Sequence, residues 1–177
     1  DHARKYLESE GIPKETIIKT GSTMYEVLMF HKKDIDKSTI LVDEKLEKDS
    51  YFIVSAHREE NIDNDINFKK LLESLKLISE KYSKKIIFST HPRTRIKLDK
   101  LGFMKSYPDI SFMKPFGFFD YIKLQKNAYC VISDSGTITE ESSILGFPAI
   151  TIRETHERPE GMDEGTLIMS GLNSDRI

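Results

Sequence analysis

A chain of 177 residues that is 38% hydrophobic has enough apolar material for one domain with a sizeable core. Its 27 Lys and Arg against 29 Asp and Glu leave a net charge of -2, so there is no basic field to hold nucleic acid, and that partner class is set aside. No run approaches the roughly 20 apolar residues of a membrane span, no basic-then-apolar leader opens the chain, and the single Cys130 has no second thiol, which together predict a reducing, cytoplasmic setting without a membrane partner. The start at Asp1 without Met and the polar ending after Gly171 predict a piece of something longer.

Residues 1–50 carry helix patterns at 3–10, halted by Gly11-Ile12-Pro13, and at Thr23–Phe30, followed by a charged stretch, 32–49, read as a loop with one strand at 39–42. From Tyr51 onward short β-branched or aromatic runs alternate with helix-period segments, the pattern of an α/β chain with a parallel sheet flanked by helices. The expected strands are Tyr51–Ser55, Lys85–Ser89, Ile110–Met113, 129–133 and 149–152. Between the first two, Phe68, Leu71, Leu72, Leu75, Ile78 and Tyr82 recur at spacings of three and four, which makes one apolar stripe on an amphipathic helix. Segments 118–126 and Ile138–Leu145 are further crossover helices, the second stopped by Gly146 and Pro148.

Ligands of an open parallel sheet collect beyond the carboxyl ends of its strands, so the residues that follow each strand matter most. Polar clusters follow four of them: Ala56 to Asn61, Thr90 to Arg95, Asp134 to Thr137, and Arg153 to Glu160. A small residue and a glycine at a helix start, Ser135-Gly136, leave backbone N–H groups open to an anion at the positive end of the helix dipole. The same residue types also fit a plain N-cap by Asp134 or Ser135. Glu141, one turn in, can chelate a ribose diol or simply complement the helix N-terminus together with Glu140. His57 stands beside Arg58 and two carboxylates where a strand becomes a loop, a setting for proton transfer or a structural contact. His91, followed by proline, suits a turn or a ligand contact, and Arg158 suits a phosphate clamp or a solvated charge run. Phe116-Gly117 falls in a loop after a strand, where backbone can meet a planar base, although the aromatic set around it also fits a core. No histidine pair has the spacing of a familiar zinc motif, so no metal is expected.

In this order, His57-Arg58-Glu59-Glu60-Asn61, His91-Pro92, Asp134-Ser135-Gly136-Thr137-Ile138-Thr139-Glu140-Glu141, Glu157-Arg158-Pro159-Glu160 and Gly165-Thr166 resemble the non-hydrolysing UDP-N-acetylglucosamine 2-epimerase family. The resemblance implies two Rossmann-like domains around a nucleotide-sugar cleft, as in GT-B glycosyltransferases. This chain would be the C-terminal half, with 1–50 as a helical and charged-loop lead-in to the 51–177 core. The N-terminal domain, with the acid/base carboxylates, would be absent. By the same resemblance uracil lies against the Phe116 backbone near Tyr121, the diphosphate on Ser135 and Gly136, and the ribose on Glu141. Arg158 reaches phosphate or sugar, His57 lies near the reacting centre, and Arg58 and His91 line a second, activating UDP-sugar site. The implied reaction removes the C2 proton with anti elimination of UDP, then returns UDP and a proton with C2 inverted, for surface or capsular polysaccharide precursors. It uses no cofactor, and the family forms homodimers.

Thr137 stands where many members of that family have a second glycine, and His156 where threonine is common. With Gly161-Met162-Asp163-Glu164-Gly165 these departures resemble the branch that makes UDP-N-acetyl-L-fucosamine from its L-talo isomer. The competing classes are a UDP-sugar glycosyltransferase of GT-B fold, against which the His57–Asn61 and Glu157–Glu160 clusters speak, and a noncatalytic binding module. The isolated 177 residues are expected to bind UDP weakly and to turn over nothing.

Overall fold

The computed structural model describes residues 2–153 and 167–172. Helices α1 (His2–Ser9), α2 (Thr23–Phe30), α3 (Lys32–Lys37) and α4 (Ile40–Asp43) lead in. Strands and helices then alternate: β1 (Tyr51–Ser55), α5 (Glu59–Ile62), α6 (Asp65–Tyr82), β2 (Lys85–Ser89), α7 (Pro92–Lys100), α8 (Phe103–Ser106), β3 (Ile110–Met113), α9 (Phe118–Asn127), β4 (Cys130–Ser133), α10 (Ile138–Leu145), β5 (Ala149–Thr151) and β6 (Leu167–Met169). Among the described residues every strand pairing is parallel, and the order across the sheet is β3-β2-β1-β4-β5-β6. The chain winds outward from β1 through β2 to β3, then returns to the other side of β1 with β4. That is the doubly wound Rossmann order, and its switch point lies between β1 and β4.

Alternation along the strands supplies two apolar faces. Phe52, Val54, Ile86, Phe88, Ile110, Phe112 and Ile132 pack with the α6 stripe of Phe68, Leu71, Leu72, Leu75 and Ile78. Tyr51, Ile53, Ile87, Val131, Ala149 and Leu167 face the other way, against Leu124 of α9 and Ile138 of α10. Each fully buried aliphatic or aromatic side chain contributes about 1.5–3 kcal/mol, so α6 is held mainly by this stripe. Its ends are also specified. The Asn64 side chain accepts from the amides of Ile66 and Asn67, and Ser83 closes the helix in the left-handed region at φ 51°. Gly146 ends α10 at φ 72°, a conformation in which its lack of Cβ removes the strain.

Two expectations are corrected. Segment 39–42 forms the cap and first residues of α4 rather than a strand, and the charged stretch around it holds α3 and α4 rather than a loop. The β-branched Thr39, Ile40 and Val42 favour a strand locally, but tertiary packing overrides this. Ile40 is buried while Val42 is exposed, the Ser38 hydroxyl accepts from the Ile40 amide and donates to Asp120 of α9, and α4 packs on α9. In addition, β6 was not expected at all: it is a three-residue edge strand, too short to show an alternation. No helix among the described residues is long and apolar enough to cross a membrane.

Candidate anion and nucleotide site at the switch point

The register fixes what meets at the carboxyl edge. Ser55 at the end of β1 stands opposite Ser89 of β2 and Ser133 of β4, and Ser133 stands opposite Thr151 of β5. Neighbouring strands lie about 4.8 Å apart, so the loops beginning at Ala56 and Asp134 leave the sheet side by side. Asp134 joins them. Its side chain is fully buried, and its Oδ2 accepts from the backbone amides of His57 (3.0 Å) and Arg58 (2.9 Å) and from Nδ2 of Asn61 (3.0 Å). Nδ1 of His57 lies 3.2 Å from Oδ1, and Nε of Arg58 donates to the Asp134 carbonyl at 3.1 Å. A carboxylate that far from water is tolerable because N–H donors replace its hydration.

With the Asp134 carboxylate turned toward β1, it does not cap α10. The cap residue is Thr137, which makes no side-chain cap hydrogen bond, so no cap side chain closes off the first turn of this helix. Ser133 Oγ accepts from the Ser135 amide at 3.1 Å, which turns the chain. The hydroxyls of Ser135 and Thr137 lie 3.0 Å apart, and the Thr137 amide approaches the Ser135 hydroxyl at 3.4 Å. Ser135 and Gly136 thus precede the positive end of the α10 dipole beside the switch point, where the helix field and the Ser135 and Thr137 hydroxyls favour an oxyanion.

One turn further, Glu141 is 7% exposed, and its Oε2 accepts from Nε2 of the buried Gln125 on α9 at 2.8 Å. Tyr121, one turn before Gln125, shares this corner. Burial pushes its phenol well above the ordinary range, the nearby polar side chains of Ser55 and Gln125 oppose the push, and the Glu141 and Asp134 carboxylates add to it. The phenol therefore stays a neutral O–H group. Phe116 packs partly buried on the same side of the sheet, and the next residue, Gly117, accepts from the Tyr121 amide at 2.9 Å to start α9.

The fold thus brings together His57, Arg58, Ser135, Gly136, Glu141, Tyr121 and Phe116 along one edge of the sheet. His91 follows β2 on that edge, exposed, with its carbonyl accepting from the Arg95 amide in the first turn of α7. Arg158 lies outside the described residues. Sequence reasoning missed three side chains here: the Asp134 clamp, Gln125 behind Glu141, and Arg153, which is buried after β5. Only Gln125 left a local sign, at the inward spacing four residues after Tyr121. Among the described residues no three of His, Cys, Asp and Glu converge as metal ligands would.

A doubly wound Rossmann-like sheet with a helix start and a buried carboxylate at its switch point is an architecture shared by many nucleotide-binding α/β proteins. Comparison with known proteins gives the family. The sequence profile of the UDP-N-acetylglucosamine 2-epimerases matches residues 1–177, and the chain belongs to that family. It is 36% identical to the UDP-N-acetylglucosamine 2-epimerase of Methanococcus maripaludis over 99% of its own length and 50% of that relative's. The UDP-N-acetylglucosamine 2-epimerase structure from Rickettsia bellii superposes with a TM-score of 0.89 at 50% identity, covering 99% of this chain and 46% of that one. The Methanocaldococcus jannaschii enzyme, solved in complex with UDP-GlcNAc and UDP, gives a TM-score of 0.89 at 35% identity, covering 98% and 49%. The chain spans about half the length of the curated relatives it matches.

Proposed function

We propose that this chain is the UDP-binding half of an enzyme that epimerises a UDP-N-acetylhexosamine at C2, of the UDP-GlcNAc to UDP-ManNAc type, by eliminating and re-adding UDP. The observation that carries the reading is the seat before α10, Ser135-Gly136 at the switch point with Glu141 buried one turn behind it. Family membership supplies the sugar nucleotide. The diphosphate rests on Ser135 and Gly136, the ribose diol on Glu141, and uracil on the Phe116 backbone beside Tyr121. Arg158 closes on the phosphates or the sugar. UDP is both leaving group and returning nucleophile, so donors fixed before the reaction lower both barriers.

His57 stands at the reacting centre, and Arg58 and His91 line the neighbouring position for a second, activating UDP-sugar. The carboxylates that move the C2 protons come from an N-terminal domain of the same polypeptide, in keeping with a match to about half of each relative. Residues 1–50 and 51–177 form one unit of that enzyme. It works as a cytoplasmic homodimer for surface polysaccharide precursors. Incubating the full-length protein with UDP-GlcNAc and, separately, with the L-talo sugar in D2O tests this. Deuterium at C2 of one substrate names it, and exchange with neither ends the epimerase reading.

A further inference from the structure

Either ring nitrogen of neutral imidazole can carry its single proton, and the partner of one decides what the other does. Nδ1 of His57 faces Oδ1 of Asp134 at 3.2 Å. The second oxygen, Oδ2, already accepts from three N–H groups, on His57, Arg58 and Asn61. Oδ1 also takes the His57 backbone amide at 3.2 Å. A carboxylate oxygen presents only lone pairs, so a lone pair on Nδ1 facing it at that distance would be repelled, and the proton belongs on Nδ1. Nε2 lies on the far edge of that ring, away from Asp134, in a side chain that is 53% exposed. The titratable and charged neighbours of the pair are Arg58, held to the Asp134 carbonyl, and Tyr121 and Glu141, which border the same corner.

We propose that Asp134 is a positioning residue that fixes His57 as the Nδ1–H tautomer, making Nε2 the nitrogen offered to the diphosphate of a UDP-sugar. The ligand part rests on the proposed function, and the tautomer part does not. Neutral Nε2 has a lone pair rather than a proton to offer an anion, so it takes a proton from solvent when the diphosphate arrives and then donates to a phosphate oxygen. The resulting imidazolium is paired with the Asp134 carboxylate, and the pair carries no net charge.

Asp134→Asn separates this role from a merely structural one. The three donors around Oδ2 select the amide oxygen for that position and put the NH2 group against the ring. That group needs an acceptor, so Nδ1 gives up its proton and His57 becomes the Nε2–H tautomer, the same reversal that disables serine-protease triads when their aspartate becomes asparagine. Nitrogen-15 NMR of the full-length protein under mildly alkaline conditions reads this directly, with His57 assigned by its loss in His57→Gln. The expected result is a protonated-type Nδ1 and a pyridine-type Nε2 in the wild type, exchanged in D134N. A wild-type His57 protonated at Nε2 overturns the proposal, whether or not D134N folds.

Calorimetry of UDP binding in two buffers of different ionisation enthalpy tests the ligand part. Net proton uptake in the wild type that is lost in D134N supports it, and wild-type binding without uptake overturns it. Absence of UDP binding removes the UDP reading and the ligand part together, while the tautomer is still decided by NMR.

Discussion

Replacing Glu141 by Gln separates a ribose-binding carboxylate from a structural one. In the proposed complex both oxygens of Glu141 accept from the ribose diol. The amide keeps one acceptor, so about one hydrogen bond to a charged group is lost, which is worth roughly 1.5–3 kcal/mol. Because the side chain is 7% exposed, little water is at hand to replace it. UDP affinity should therefore fall about 10- to 150-fold. Stability should respond differently. Oε1 of Gln125 is buried without a hydrogen-bond partner, so a rotation of the Gln125 amide lets Oε1 accept from the new NH2 group. The folding cost should stay below about 1 kcal/mol, the size of a typical net hydrogen bond. Calorimetric titration of the full-length protein with UDP and with 2′,3′-dideoxy-UDP checks this, alongside thermal melts. The wild type should lose more affinity for the dideoxy compound, which lacks both hydroxyls, than E141Q loses for UDP, and E141Q should distinguish the two ligands less than the wild type does. Equal UDP affinity in E141Q and wild type, or a collapse in Tm with unchanged affinity, refutes the ribose role.

Three further outcomes follow from the scaffold. Leu72→Ala, at a fully buried position of α6 between the helix and the sheet, should cost about 2–5 kcal/mol in urea unfolding with an unchanged m-value. Asn64→Ala removes the cap that accepts from the Ile66 and Asn67 amides and should cost about 1 kcal/mol in the same assay, with UDP affinity unchanged. The hydrogen bond from Lys32, then that from Lys126, holds the Asp36 carboxyl down at about 2. A depressed folded-state value stabilises the fold above the ordinary carboxylate range, and this is lost as pH falls toward 2. The side chain is 40% exposed, so the contribution is below about 1 kcal/mol, and the stability gap between wild type and D36N should close over that interval in urea titrations.

The sequence carried signals wherever one segment's own pattern decides its structure. The α6 stripe and the apolar runs of β1, β2 and β3 are repeats of period three to four and short continuous blocks, and their bounds are close to or the same as those observed. The edge strand β6 and the helix α4 were not legible because neighbours rather than local preference set them: β6 exists through pairing with β5, and α4 through packing on α9. The candidate site shows the same division. Ser135 and Gly136 sit in one turn, with Glu141 in the helix that follows it, and all three could be singled out from residue types alone. Asp134 in that same turn looked like a cap, because its partners lie up to 77 residues earlier in the chain. Whether its carboxylate turns to its own helix or to the β1 loop depends on β4 lying beside β1 rather than beside β3, and strand order leaves no trace in any single segment. That order also explains why the His57–Asn61 cluster belongs with the Asp134–Glu141 cluster. A fully buried carboxylate leaves no solvent to stand in for a lost donor, so a change in the backbone path at His57 or Arg58, or in the side chain of Asn61, disturbs the turn that presents Ser135 and Gly136.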